Sequence, residues 1–249
     1  MKVKAAQATA VAGGKDTTSG CKDVILRENI IVIAAEMHYD SFWWKMMFMA
    51  TGIAAAQGAG GGARSAHKTT VAYVDVGYTN HEKLALEALK SGGVNLLKVK
   101  AKDELIKYVN TRPEKLQGKC QVKYLVQDML FFSHGYPGVI DLNYQGSPSI
   151  LLDAGAFKSM SKASFVPDGR IFSYACRTGN GSWVWKESFE NDEACSPEKS
   201  LAQQMADHFQ IEVHAYLTRS DYALVLREKS ESENIAKTLK EARKTQEGS

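Results

Sequence analysis

Residues 121–132, QVKYLVQDMLFF, run straight into Ser133-His134-Gly135, and the conformation of this stretch decides the fold. Its length and its β-branched and aromatic residues suit a strand buried on both faces, with a break near Gln127-Asp128. Runs of the same character recur on either side of it. Residues 69–76 (TTVAYVDV), 94–99, 170–175 (RIFSYA), 211–217 and 222–226 read as further strands. Helical patterns fall between them. Residues 81–90 (HEKLALEALK) put Leu84, Ala85, Ala88 and Leu89 on one face and stop at Ser91-Gly92-Gly93, while residues 102–110 are halted by Pro113. Residues 196–209 open on Ser-Pro-Glu, an N-cap followed by proline at the first helical position, and align Leu201, Met205 and Phe209. Strand and helix in alternation predict an α/β fold with a mostly parallel central sheet flanked by helices on both faces. In such a sheet the reactive groups gather beyond the carboxyl ends of the strands.

Upstream, residues 30–35 (IIVIAA) are strongly apolar, and the segment after them carries Trp43, Met46, Met47, Ala50 and Ile53 at helical spacing, with Trp44 and Phe48 on the opposite face. This predicts a helix buried on most sides, docked on the main body. Residues 57–65, QGAGGGARS, have the composition of a linker. The expected organisation is therefore an N-terminal segment over 1–65, a catalytic-type domain over 66–228 and a charged tail over 229–249, with surface-helix spacing at Ile235, Leu239 and Ala242. An aromatic-rich helix ahead of a glycine linker also suggests a regulatory or targeting segment that meets a partner.

The 249 residues include 31 Lys plus Arg, 28 Asp plus Glu and 44% hydrophobic residues, which excludes a disordered or collagenous chain and gives a net charge of +3. So small and even a charge makes no nucleic-acid footprint, and no nucleic-acid partner is expected. The start of the chain has no apolar core of a secretory signal, and the apolar stretch over 42–56 holds Lys45 and is too short to span a bilayer. A protein without a transmembrane segment follows, in the cytoplasm or released without a classical leader. Four cysteines, Cys21, Cys120, Cys176 and Cys195, show neither a C-x-x-C pair nor zinc-ligand spacing with histidine, so no metal is expected. Two disulfides or four thiols in a reducing compartment fit the count equally.

Two strand ends carry chemistry. One run ends at Ser133-His134-Gly135 and the other at Ala175-Cys176-Arg177-Thr178-Gly179, which the parallel arrangement brings to the same edge of the sheet. A thiol needs a neighbouring base to reach its nucleophilic thiolate, and a histidine on the next strand end supplies one. Glycine after the histidine lets the backbone come close, so that the N–H groups of Gly135 and Cys176 can face an oxyanion. The other candidates are weaker. Cys195 lies in ENDEACSPEK among acids that would raise a thiol pKa, and Cys21 and Cys120 lie away from any strand end facing His134. His208 and His214 fit packing or surface roles, and neither His38 nor His67 has a partner that the sequence names.

FFSHG followed by GRIFSYACRTGNG resembles the His-Gly and Ala-Cys signature of the caspase-like cysteine peptidases. The stretch between them, with the helix and strand of SLAQQMADHFQIEVHAY after the cysteine, is most similar to the CHAT domains of that group. The resemblance covers roughly residues 69–226 and implies a caspase-like three-layer sandwich. It also implies a cysteine endopeptidase that acts on protein or peptide substrates through a Cys176–His134 dyad and a thioester, with no cofactor. Family members are often governed by prosegments, activating ligands or partners. Where caspases carry Gln and metacaspases Asp two residues before the cysteine, this chain has Tyr174, so an acidic substrate pocket built from that position is absent. Asp75, ending the first strand after the linker, is then a candidate reader of a basic substrate residue, and Arg177 follows the cysteine as in caspases. An inactive caspase-like scaffold that binds or regulates is the alternative.

Overall fold

The computed structural model describes residues 24–38, 42–59, 62–111, 114–117, 120–182, 195–220 and 222. The strands are β1 (Val24–Ile33), β2 (Ala35–Glu36), β3 (Lys68–Val74), β4 (Asn95–Val99), β5 (Glu114–Gln117), β6 (Cys120–Phe132), β7 (His134–Tyr136), β8 (Val139–Asp141), β9 (Asn143–Tyr144), β10 (Leu151–Asp153), β11 (Phe165–Ser173) and β12 (Glu212–Ala215). The helices are α1 (Phe42–Ala56), α2 (Asn80–Glu87), α3 (Lys102–Thr111), α4 (Ala154–Lys158) and α5 (Leu201–Phe209). The expected strand over 222–226 lies outside the described residues beyond Tyr222, as does the expected tail helix.

The main sheet runs β12-β11-β6-β1-β3-β4, every neighbouring pair parallel, with β5 antiparallel on β6. Counting only these six parallel strands along the chain, the order across the sheet is 3-2-1-4-5-6, that of a doubly wound fold. The chain winds outward from β1 through β3 to β4, then crosses back to β6 and winds the other way through β11 to β12. Helices α1 and α2 touch each other, while α3 meets α4 and α4 meets α5, in keeping with one helical layer for each direction of winding. This is the three-layer α/β sandwich that the alternation foretold. A small sheet, β10-β8-β7, and the β2-β9 pair sit beyond the carboxyl edge.

The boundary expected near residue 66 is corrected by the position of β1. Strand β1 lies between β3 and β6, at the centre of the sheet, and Ile30, Ile31, Val32 and Ile33 are fully buried. The helix after it packs on β1, β3 and β6 through Met46, Phe48, Met49 and Ile53, with Trp44 turned outward. At Gly52 the helix comes so near β1 that a Cβ would collide with the Ile33 side chain. The described residues between 24 and 65 therefore belong to the same body as those that follow. The glycine-rich stretch reads as a linker but is pinned. Arg64 N donates to Asp128 Oδ2 at 2.7 Å, Asn29 Nδ2 donates to Arg64 O at 2.5 Å and Gln127 Nε2 donates to Ser65 O at 3.0 Å.

The break foreseen near Gln127-Asp128 is a β-bulge: Glu28 faces Val126 and Asn29 faces Asp128, leaving Gln127 as the extra residue of β6. The last helix starts later than expected. Pro197–Lys199 forms a separate 3-10 turn, and Ser200 caps α5 by accepting from Gln203 N at 3.1 Å.

Candidate active site

Strands β6 and β11 run side by side with Phe131 opposite Ser173, and Tyr174 N donates to Phe131 O at 2.9 Å. Past this register the chains run on into Ser133-His134-Gly135 and Ala175-Cys176. The close approach is real at Gly135, where a Cβ would lie 2.7 Å from Ala175 Cβ and 2.9 Å from Cys176 O. Any side chain there would wedge the strand ends apart. Tyr222 fastens the same two ends from the side. Its hydroxyl accepts from Ser133 N at 2.9 Å and stands 3.0 Å from Tyr174 O, and burial pushes the phenol far above its ordinary range. Phe132 stacks on Tyr174 at 4.8 Å between ring centroids, and Phe48 of α1 meets Tyr222 edge-on. Together they form an aromatic floor under the strand ends.

His134 opens β7 and pairs across the small sheet with Asp141 of β8. Its Nε2 is hydrogen-bonded to Oε2 of Glu36, a fully buried carboxylate that ends β2 just past the central strand. The other oxygen of Glu36 accepts from His38 N at 2.6 Å. Rings enclose the imidazole: Phe48 stands edge-on at 5.0 Å and Tyr144 lies tilted at 4.6 Å. Asp141 is also buried. Burial pushes its carboxyl above the usual range, a push that the Asn143 N–H and His134 oppose and Glu36 reinforces.

Cys176 is a half-buried free thiol at the start of a sharp turn. Arg177 takes φ +57°, its N donates to Thr218 O at 2.9 Å and its O accepts from Asn180 N at 3.0 Å. The turn brings Ser220 onto the sulfur. Ser220 N donates to Sγ at 3.4 Å, and Ser220 Oγ lies 3.3 Å from Sγ. Ser220, and not His134, is thus the hydrogen-bond partner of the thiol. The two expected reactive groups occupy adjoining strand ends without a hydrogen bond between their side chains; such bonds are often long or absent before substrate binds.

Of the remaining expected site residues, Tyr174 lies beside Cys176 as half of the aromatic floor, and burial pushes its phenol up to about 12. Arg177 shapes the turn through its backbone. Asp75 is placed elsewhere: it follows β3, on the far side of β1, and its carboxylate is 2.8 Å from Lys83 Nζ and 3.6 Å from Lys98 Nζ. The Lys83 ammonium holds that carboxyl below its ordinary range. Asp75, expected to read a basic substrate residue, is thus placed two strands away from β6, with two lysines already beside its carboxylate. His67 Nδ1 accepts from Arg27 N at 3.1 Å, His208 Nε2 bonds Met160 O at 2.8 Å and His214 stacks on Phe172. Among the described residues no group of three or more His, Cys, Asp or Glu is placed to hold a metal ion.

Sequence reasoning missed Glu36, Asp141, Ser220 and Tyr222. Glu36 alone carried a usable mark, since it ends an apolar run, IIVIAAE, in the same manner as His134 and Cys176. The other three reach the site through the path of loops and short strands that no periodicity announces.

The doubly wound order gives this cluster its location. The winding reverses between β1 and β6, and the crevice beyond the carboxyl ends at such a reversal is where open α/β sheets place their ligands. Glu36 follows β1 and His134 follows β6, with Cys176 on the next strand along. No protein-family model, curated protein or solved structure matches the chain. Among the described residues no helix is long and apolar enough to cross a membrane.

Proposed function

We propose that the chain is a cysteine endopeptidase of caspase-like type, with Cys176 as nucleophile and His134 as its base. The observation that carries this reading is the close approach of Gly135, next to His134, to Ala175 and Cys176 at the ends of adjoining parallel strands, beside the reversal of the sheet. In the reaction the thiol proton passes to His134 while Sγ adds to the scissile carbonyl carbon. The oxyanion is met by the N–H groups of Gly135 and Cys176. It collapses with breakage of the C–N bond, the amine leaves with the proton held by His134, and a thioester remains. Water, giving its proton to His134, then splits the thioester into a carboxylic acid and the free thiol.

Protein or peptide substrates fit a nucleophile set at an open strand end, and the chemistry requires no cofactor. Incubating the full chain with a proteome and mapping new termini, against Cys176→Ala as control, tests the proposal. Termini that appear with the wild type alone support it, and an equal set from both proteins sinks it.

The contact between Ser220 and the thiol favours a second reading, an inactive scaffold whose cysteine is merely packed. Iodoacetamide separates the two. A thiol activated by His134 is alkylated near neutral pH much faster than Cys195, and equal slow labelling of both favours the scaffold.

A further inference from the structure

We infer that Glu36 is the positioning residue of this site, holding His134 through Nε2 so that Nδ1 is the nitrogen that exchanges protons with Cys176 and substrate; the inference rests on the peptidase reading above. Nothing in the dyad pattern asks for an acid, yet one is built in with care. Glu36 is fully buried, and a carboxylate is kept out of water only when its oxygens are matched. Both are: Oε2 is bonded to the imidazole and Oε1 accepts from His38 N at 2.6 Å. Its backbone is fixed as well, because β2 pairs with β9, Ala35 against Asn143 and Glu36 against Tyr144.

The same pairing delivers Tyr144 onto the His134 ring while Phe48 closes the opposite approach, so ring and carboxylate are held by one set of elements. The ionisable groups around His134 are Glu36 from β2, Asp141 from β8 and Tyr144 from β9, with Cys176 in the turn after β11. Asp141 does not compete for the ring, since its Oδ1 accepts from Asn143 N at 3.2 Å and burial favours its neutral form.

The chemistry gives this arrangement its use. When His134 takes the thiol proton it becomes a cation among Phe48, Tyr144 and the aromatic floor, where an unpaired charge is costly. Glu36 sits in place to pair with it. The imidazole is thereby fixed in the form with its proton on Nε2, which leaves Nδ1 with its lone pair available. Among the described residues Nδ1 has no hydrogen-bond partner of its own.

The test uses the full chain with Glu36→Gln, Glu36→Asp and Glu36→Ala. Loss of an orienting acid is expected to lower kcat by about a hundredfold with KM changed less than about threefold, and aspartate to restore part of the loss. Alkylation of Cys176 slows in the same order. Proton NMR gives a readout independent of turnover: the wild type shows a downfield, exchange-protected ring N–H of His134, assigned by its loss in His134→Ala, and Glu36→Ala abolishes it. Wild-type kcat and labelling in Glu36→Gln overturn the inference. So does absence of the ring signal from the wild type, which needs no variant to fold. If no Cys176-dependent cleavage is found while the ring signal is present and vanishes with Glu36, the peptidase reading fails and the Glu36–His134 pairing stands.

Discussion

Asp128 and Glu36 are both carboxylates with no exposed surface, attached to the adjacent central strands of one sheet, yet they are partnered in opposite ways. Asp128, beside the bulge of β6, is gripped by two guanidinium groups, with Arg170 Nη2 at 2.9 Å and Arg64 Nη2 at 2.8 Å, and by Arg64 N at 2.7 Å. An arginine does not give up its proton, so this cluster has one charge state and serves as a clamp. Glu36, at the carboxyl edge, is bonded instead to an imidazole, a partner that can both give and take a proton. The contrast separates structural from chemical uses of a buried acid by the partner and not by the acid itself. It also explains why the glycine-rich stretch is held in place: Arg64 is one of the two guanidinium groups on Asp128.

The contrast can be broken most sharply at the carboxyl edge. Cys176→Ala removes the proposed nucleophile and little volume, so on the peptidase reading cleavage should fall to background while the urea midpoint stays near that of the wild type. A variant that still cuts would end the assignment of the edge to chemistry.

At the clamp the expected effect is on stability. Asp128→Asn leaves Arg170 without its counter-charge and Arg64 with Asp168 alone, and should cost about 3–5 kcal/mol in urea unfolding, the usual range for breaking a buried pair. Burial works against the charged form of Asp128, but the hydrogen bonds from Arg170 and Arg64 outweigh it and hold the carboxyl below its normal range. A lowered folded-state pKa gives stability that is present above the unfolded value, about 3.9, and is lost as the pH falls through the folded one. The wild type should therefore lose its advantage over Asp128→Asn below about pH 4. An advantage that persists undiminished at lower pH would remove the charge pair from the explanation.

Gly135→Ala is a smaller disturbance. It drives a methyl against Ala175 and the carbonyl of Cys176, and overpacking of this kind costs about 1–3 kcal/mol. Activity should fall further than stability alone explains, because the strand ends are spread. The smallest effect is expected from Asp75→Asn. Its ion pair with Lys83 should contribute less than about 1 kcal/mol, and cleavage-site preference should be unchanged. A shift away from basic residues in that variant would return Asp75 to the site.

Much of the sheet was legible because a buried parallel strand is rich in β-branched, aliphatic and aromatic residues, and 69–76, 94–99, 121–132 and 170–175 each supply such a stretch. His134 and Cys176 were legible by the rule that chemistry sits past the strand ends. The same rule applied to IIVIAAE points to Glu36, but the glycines of 57–65 mark off everything before them as an appendage. Composition describes the intrinsic flexibility of those residues and not the bonds that Asp128 and Gln127 make to them. Ser220, Asp141 and Tyr222 were illegible for a different reason. They arrive by tertiary paths, on loops and strands too short to leave a period in the sequence.

The extra residue at Gln127 has one more effect, on parity. Side chains along a strand alternate between faces, so one added residue exchanges odd for even from that point onward. Beyond the bulge Phe131 meets Phe157 of α4 while Phe132 meets Tyr174 and Tyr222. Without that single residue every later side chain of β6 would be presented to the opposite layer. The side of the sheet from which Phe132 joins the aromatic floor is thus set five residues before it, by a residue whose own side chain bonds Arg27 and Asn29.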